Sequence, residues 1–229
     1  MMKRTCVLSL ALAAALTVGC RGDDRGATTT GGTGAVGTSG AADRDVSGAD
    51  KDFVKDAVIT GMAEVDLGRL ALDQASTPNV KKFAQMMIDD HTQAGEKMKS
   101  LAAQHHIEVP AQVDDTHKDL ADKLAAKRGL DFDRDYADAM VDGHQNFIDK
   151  LEKRIDKDRL SEWKAKNYDA SGKKIEVKGE AMTVTPEKSD NPVTFSLNEW
   201  AAATYPVAFA HLQAAKDLQK GLKRNTTTP

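Results

Sequence analysis

The sequence predicts an all-α protein: four long helices side by side in an up-down bundle, with a crossover helix and a small inserted β-hairpin. Three observations predict it. Apolar residues recur in alternating steps of four and three, the signature of one helix face packed on its neighbours. The clearest stripe is Val80, Ala84, Met87, His91, Ala94, Met98, Leu101, His105. Glycine is concentrated before residue 50, which leaves the remainder favourable for helix. Short breaks at Ser76-Thr77-Pro78 and around Pro110 separate the periodic stretches at bundle-like lengths.

Composition bounds the function. The 229 residues are 40% hydrophobic and 29% charged, with a formal net charge of -3, which suits one globular domain with tails. Nearly balanced charge lacks the basic footprint of a nucleic-acid binder. The two cysteines, Cys6 and Cys20, both fall in the first twenty residues. No disulfide framework staples the body of the chain, and no thiol there serves as nucleophile or ligand.

Residues 1–20 read as a lipoprotein-type signal peptide. Lys3 and Arg4 precede an apolar run, Val7 to Val18, too short for a confident bilayer span. Leu16-Thr17-Val18-Gly19-Cys20 resembles a bacterial lipobox, with Thr17 where leucine is usual, and so marks Cys20 for lipidation. The same residues fit an ordinary cleaved signal or an uncut anchor. Arg21 after the cysteine leans toward the outer membrane, on the periplasmic face of the cell envelope. Residues 21–48, rich in Gly, Thr, Ala and Ser, cannot build a core and read as a flexible tether.

The helical domain spans 49–224. Helix one runs from about Asp50 to Ala75 on the stripe Val54, Val58, Gly61, Val65, Gly68, Leu72, Ala75, with Glu64 flanking it. Its two glycines lower helix propensity, and close approach of a neighbouring helix would justify them. Thr77 caps helix two and Pro78 opens it; so short a turn makes the two helices antiparallel. Helix two ends near His106, and Asp114 to Arg128 is the amphipathic crossover. Helix three runs from near Asp131 to about Lys157, on Ala137, Met140, His144, Phe147, Leu151, Ile155. Residues 163–195 form the insertion. Lys174–Lys178 and Ala181–Thr185 alternate around Gly179-Glu180, which suits a hairpin with Ile175 facing Val184 and Val177 facing Met182. A disordered lysine-rich loop fits equally, since an isolated hairpin is marginal in water. Helix four runs from near Ser196 to near Leu222, with His211 on its stripe and Pro206 inside it, and residues 225–229 are a tail.

Histidines occupy stripe positions where leucine is ordinary. Glu64 lies 13 residues before Thr77 and His91 lies 14 after it, so antiparallel packing levels them. His144 and His211 are level in the same way if helices three and four are antiparallel. One ligand from each helix, Glu64, His91, His144 and His211, then converges in the bundle middle, as in metal sites built from facing helices. Imidazoles with one carboxylate suit Zn, Fe, Mn or Cu, and the set alone does not choose among them. Asp90 is placed to orient an imidazole by accepting its other N–H. The competing reading is ordinary core histidines hydrogen-bonded to groups such as Tyr136, Thr204 or Tyr205, with Glu64 a solvated flank. The methionines at helical spacing read as core filler. His105, His106 and His117 read as surface or boundary residues.

Several runs resemble the bacterial family called domain of unknown function 4142. They are Asp52-Phe53-Val54, Ala63 to Gly68, Val80 to Met87, Asp89-Asp90-His91-Thr92, Phe132 to Tyr136, His144, Tyr205-Pro206 and His211-Leu212. The resemblance implies an exported outer-membrane protein with a ferritin-like four-helix bundle. The ferritin-like di-iron pattern places Glu three residues before His. Here Ile88, Val141 and Ala208 hold those positions, which argues against di-iron chemistry and against an enzyme. Two functions follow as expectations, with a third, an oxidoreductase using a metal in the bundle, less favoured because carboxylates are few. One is an exported protein holding a transition-metal ion in its core. The other is a metal-free envelope scaffold that engages a partner protein. Either is tied to a membrane through its lipid.

Overall fold

Local sequence signals start each helix. In the computed structural model, which describes residues 46–175 and 182–224, Ser47 caps α1 (Gly48–Gln74), accepting from the Asp50 N–H at 3.1 Å and donating to its carboxylate at 2.7 Å. Thr77 caps α2 (Pro78–Gln104), with Pro78 in the first turn. Asp114 caps α3 (Asp115–Ala125), and α4 is Gly129–Leu151. A 3-10 turn, Glu152–Arg154, follows. Asp156 then starts α5 (Lys157–Asn167), accepting from the N–H groups of Asp158 and Arg159. Asn191 accepts from Val193 and Thr194 at the start of α6, Pro192–Arg224. Among the described residues no helix is long and apolar enough to cross a membrane. The signal stretch, Cys20 and most of the tether lie outside them.

The long helices α1, α2, α4 and α6 pack against one another. Gly68 of α1 meets Ala84 and Ile88 of α2, while Gly61 meets His91, so this pair is antiparallel. Glu152 accepts from the Tyr205 hydroxyl at 2.7 Å and Asp138 accepts from Gln219 at 2.7 Å, which makes α4 and α6 antiparallel as well. Lys150 of α4 donates to Asp56 of α1 at 2.7 Å, and His144 faces Glu64, so these two also oppose. It follows that α2 and α4 run the same way. The connection carrying α3 therefore travels back along the helices, and α3 lies against α1 and α4.

Two buried polar fastenings hold this arrangement. Asp133 at the start of α4 is fully buried and accepts from Ser76 N–H, Ser76 O–H and Thr77 N–H at 2.7–2.9 Å. It thereby closes the α1–α2 turn. Asp50 accepts from Thr194 at 2.8 Å and pairs with Arg154 at 2.9 Å. Burial works against its charge, but the bonds from Ser47 and Thr194 and the Arg154 guanidinium outweigh it and hold the carboxyl below its ordinary pKa.

The apolar interior is divided. One cluster gathers Phe53, Val58, Met98, Phe147, Leu151, Trp163, Leu197 and Tyr205. The other gathers Leu67, Val80, Phe83, Met87, Phe132, Tyr136, Met140 and Leu222. Along α1, α2 and α4 the gap between them carries Glu64, His91 and His144, and His211 lies at the same boundary on α6.

Two expectations need correction. Helix three stops at Leu151 rather than near Lys157, because Asp156 offers its carboxylate to a new helix. That helix, α5, occupies residues expected to be helix three's end and the insertion's start, and its Trp163 is buried against Tyr205 and Phe209. The insertion shows no paired hairpin among the described residues. Its arms bond to the ends of the helices: Ile175 N–H to Asn167 carbonyl at 2.9 Å, and Asp156 N–H to Thr185 carbonyl at 3.0 Å. These bonds flank isolated bridges, Tyr168 with Lys174 and Ile155 with Pro186. Val184 is buried whereas Ile175 is exposed, so the two do not share a face. The Gly179-Glu180 turn lies outside the described residues.

Candidate metal centre

Each histidine is carried to the interior by the period of its helix. His91 stands between Met87 and Met98, His144 between Met140 and Phe147, and His211 between Ala208 and Ala215, all buried. Three different helices thus supply three rings to one level. Their centroids form a nearly equilateral triangle, 5.5 Å from His91 to His144, 5.5 Å from His91 to His211 and 5.4 Å from His144 to His211. One nitrogen from each ring can be chosen so that all three lie within 4.8 Å of one another.

The hydrogen bonds say which nitrogens are free. Nδ1 of His144 lies 2.8 Å from the Met140 carbonyl, which can only accept, so Nδ1 carries the proton. Nε2 of His211 lies 2.8 Å from Asp90 Oδ2 and donates to it, the orienting role expected for Asp90. The complementary nitrogens, Nε2 of His144 and Nδ1 of His211, are buried without a hydrogen-bond partner, and so is Nε2 of His91. Neither Tyr136, Thr204 nor Tyr205 bonds to a histidine. The Tyr136 hydroxyl is itself without a partner, and the Tyr205 hydroxyl is engaged by Glu152.

Electrostatics favours neutral rings. Burial pushes His91 well below its usual pKa of 6.5, and the neighbouring His144 and His211 add to the shift. His211 is lowered by burial too, with the Asp90 bond pulling the other way. Neutral imidazoles are the form that binds metal ions.

Glu64 is level with the rings but turned to the other side. Its Oε1 lies 3.6 Å from Nδ1 of His144, the nitrogen already given to Met140, and Glu64 is not in the group of three. Its Oε2 has no hydrogen-bond partner, and burial raises its pKa against the pull of His144 and His117. Gly143 makes room for it, since a Cβ there would stand 3.1 Å from Oε1. The sequence reading did not single out Gly143, although its place beside His144 was the available signal. The carboxylate also holds the buried Tyr136 phenol protonated, after burial itself. His117, expected at the surface or a boundary, is half-buried; its backbone N–H donates to Asp114, the cap of α3, its ring pairs with the same carboxylate, and it borders the groove where Glu64 lies.

The donor set fits a transition metal. With metal–nitrogen bonds of about 2.0–2.1 Å, three imidazoles bound through ring nitrogens hold their centroids roughly 5.2–5.5 Å apart for bond angles of about 110–120°. The observed 5.4–5.5 Å falls there. Three buried histidines this close could hold a metal ion, and nitrogen ligands alone leave its identity open.

Residues 35–166 match the family described as Domain of unknown function (DUF4142). The matched stretch carries Glu64, His91 and His144, while His211 lies beyond it on α6. No curated protein and no solved structure matches the chain. With its match covering more than half of the 229 residues, the chain belongs to the Domain of unknown function (DUF4142) family.

Proposed function

We propose that this protein is an exported, ferritin-like four-helix bundle that binds one transition-metal ion through His91, His144 and His211. The observation that carries the reading is the set of three buried imidazole nitrogens without partners, on rings at metal-bridging separation. A buried unpartnered polar atom is costly, and three at one level share a single remedy in a bound cation. Glu64 acts beside the ion rather than on it: its charge lies across the His144 ring and offsets the ion's positive charge. The signal-like start and Cys20 support export and attachment to the envelope membrane, with the domain on the periplasmic side.

The test is metal content. Protein refolded with Zn, Mn, Fe or Cu and freed of excess ion is compared with a variant carrying His91→Ala, His144→Ala and His211→Ala. The expected result is about one ion per chain in the parent and none in the variant, with circular dichroism confirming helices in both. Equal metal content in the two ends the reading.

A further inference from the structure

Two of the three imidazoles open onto a small chamber between α2 and α6. Its volume is about 30 Å³, and His91 and His211 both line it. Both side chains are more than nine-tenths buried, and each holds an unpartnered nitrogen. Ala94, Gly95, Ala208 and Phe147 supply apolar wall. Trp200 borders the same space, and its indole N–H is buried with no acceptor. The wall includes the exposed Val207, so the chamber has a route to the surface.

A metal held by three protein nitrogens keeps at least one coordination position for another ligand. We propose that this position faces the chamber and takes a neutral ligand of about two heavy atoms, a deepening that rests on the metal reading above. Size is the first argument. A water-sized ligand needs roughly 10–15 Å³, so the space admits about two such units and excludes a five-membered ring. Charge is the second. The walls offer an anion only two neutral donors, the Trp200 N–H and the Thr204 hydroxyl, and the Asp90 carboxylate at the same chamber repels it, so an anionic ligand loses more hydration than it regains. A neutral molecule avoids that cost and can accept from Trp200 with its outer atom. The groove of about 470 Å³ against α3 does not compete for this role. It opens on Glu64, beside the nitrogen of His144 that is turned to Met140.

Nitric oxide added without oxygen to the iron(II)-loaded full chain tests the proposal by electron paramagnetic resonance. The expected result is a new signal saturating at one nitric oxide per iron, with prior addition of excess imidazole leaving the size and shape of that signal unchanged. Ala208→Phe, which fills the chamber, should keep its iron and weaken nitric oxide binding by at least about tenfold, ~1.4 kcal/mol. Iron retained by the parent with no nitric oxide signal overturns the proposal. So does a nitric oxide signal that excess imidazole suppresses or reshapes, a comparison that needs no variant to fold. An Ala208→Phe protein that keeps both iron and full nitric oxide affinity overturns it as well. Failure of the parent to retain any metal overturns the metal centre itself, and the chamber's role with it.

Discussion

Asp90 reaches from α2 to α6 and holds the Nε2–H of His211 at 2.8 Å, which leaves Nδ1 as that ring's only lone pair. The contact fixes both the tautomer and the tilt of the imidazole. Asp90→Ala should therefore lower metal affinity by about 10–100-fold, the usual effect of losing an outer partner, while the helices remain. Asp90→Asn should lose less, because its amide oxygen still accepts the same proton. Competition against a chelator of known affinity gives the ranking, and equal affinity in all three proteins would show that the ring needs no orienting.

Acid should destabilise the metal-free protein through His91. Its folded pKa lies well below 6.5, chiefly from burial and then from His144 and His211. An unfolded chain takes up a proton near pH ~6.5 that the folded ring refuses. Stability from this group is thus complete above that value and falls as pH drops toward the folded pKa. Glu64, raised by burial, acts in the opposite sense, so the comparison that isolates the ring is His91→Leu. That variant should show a flatter loss of stability between pH 7 and 5.5 in urea unfolding, and no metal-induced gain.

The two glycines of α1 should respond differently to alanine. A Cβ on Gly68 would stand 2.8 Å from Ile88 and 3.0 Å from the Ala84 backbone, so Gly68→Ala must push α2 away and costs about 1–3 kcal/mol. A Cβ on Gly61 meets its nearest atom at 3.9 Å, an ordinary contact. Gly61→Ala should keep the fold and gain roughly 0.5–1 kcal/mol from helix propensity. Thermal unfolding of the pair reads the contrast.

Asp133→Ala should be among the more damaging changes outside the metal layer. It removes three hydrogen bonds to the α1–α2 turn and leaves Ser76 and Thr77 N–H groups unsatisfied in a partly buried place. A loss of about 2–4 kcal/mol is expected in denaturant unfolding.

His106→Gly should stabilise the protein by about 1 kcal/mol. His106 adopts φ 53° just beyond α2, where Ile107 N–H returns to the Ala102 carbonyl at 2.8 Å. That is the left-handed helix stop glycine favours, and a side chain there is strained. A higher melting temperature with unchanged metal content is the outcome to look for.

Much of this was legible in the residues. Thr77-Pro78 placed the α1–α2 turn, and the stripes of α2, α4 and α6 carried His91, His144 and His211 inward. The levelling of His144 with His211 rests on helix ends near Lys157 and Ser196. The structure puts those ends at Leu151 and Pro192 and inserts α5 between them. What sets the register is side-chain pairing, Glu152 with Tyr205 and Asp138 with Gln219, which no periodicity reveals. Glu64 illustrates the other limit. Spacing gave its height, but the side to which a flanking carboxylate turns depends on the hollow at Gly143 and on the tautomer of His144. The arms of the insertion alternate as strands do, yet among the described residues Ile175 and Thr185 bond to the backbone at helix ends, Asn167 and Asp156.

The break between the two greasy masses has a mechanical meaning. Hydrocarbon contact grips the four rods above and below it, and at that storey three nitrogen rings and a carboxyl meet. An ion there would act as a rivet, adding cohesion between the two masses, and at a free concentration of about 100 times its dissociation constant it would contribute ~2.7 kcal/mol. Stripped of it, this waist should be the first place the rods part, which amide hydrogen exchange around Ala94 and Gly143 would register as opening well before global unfolding.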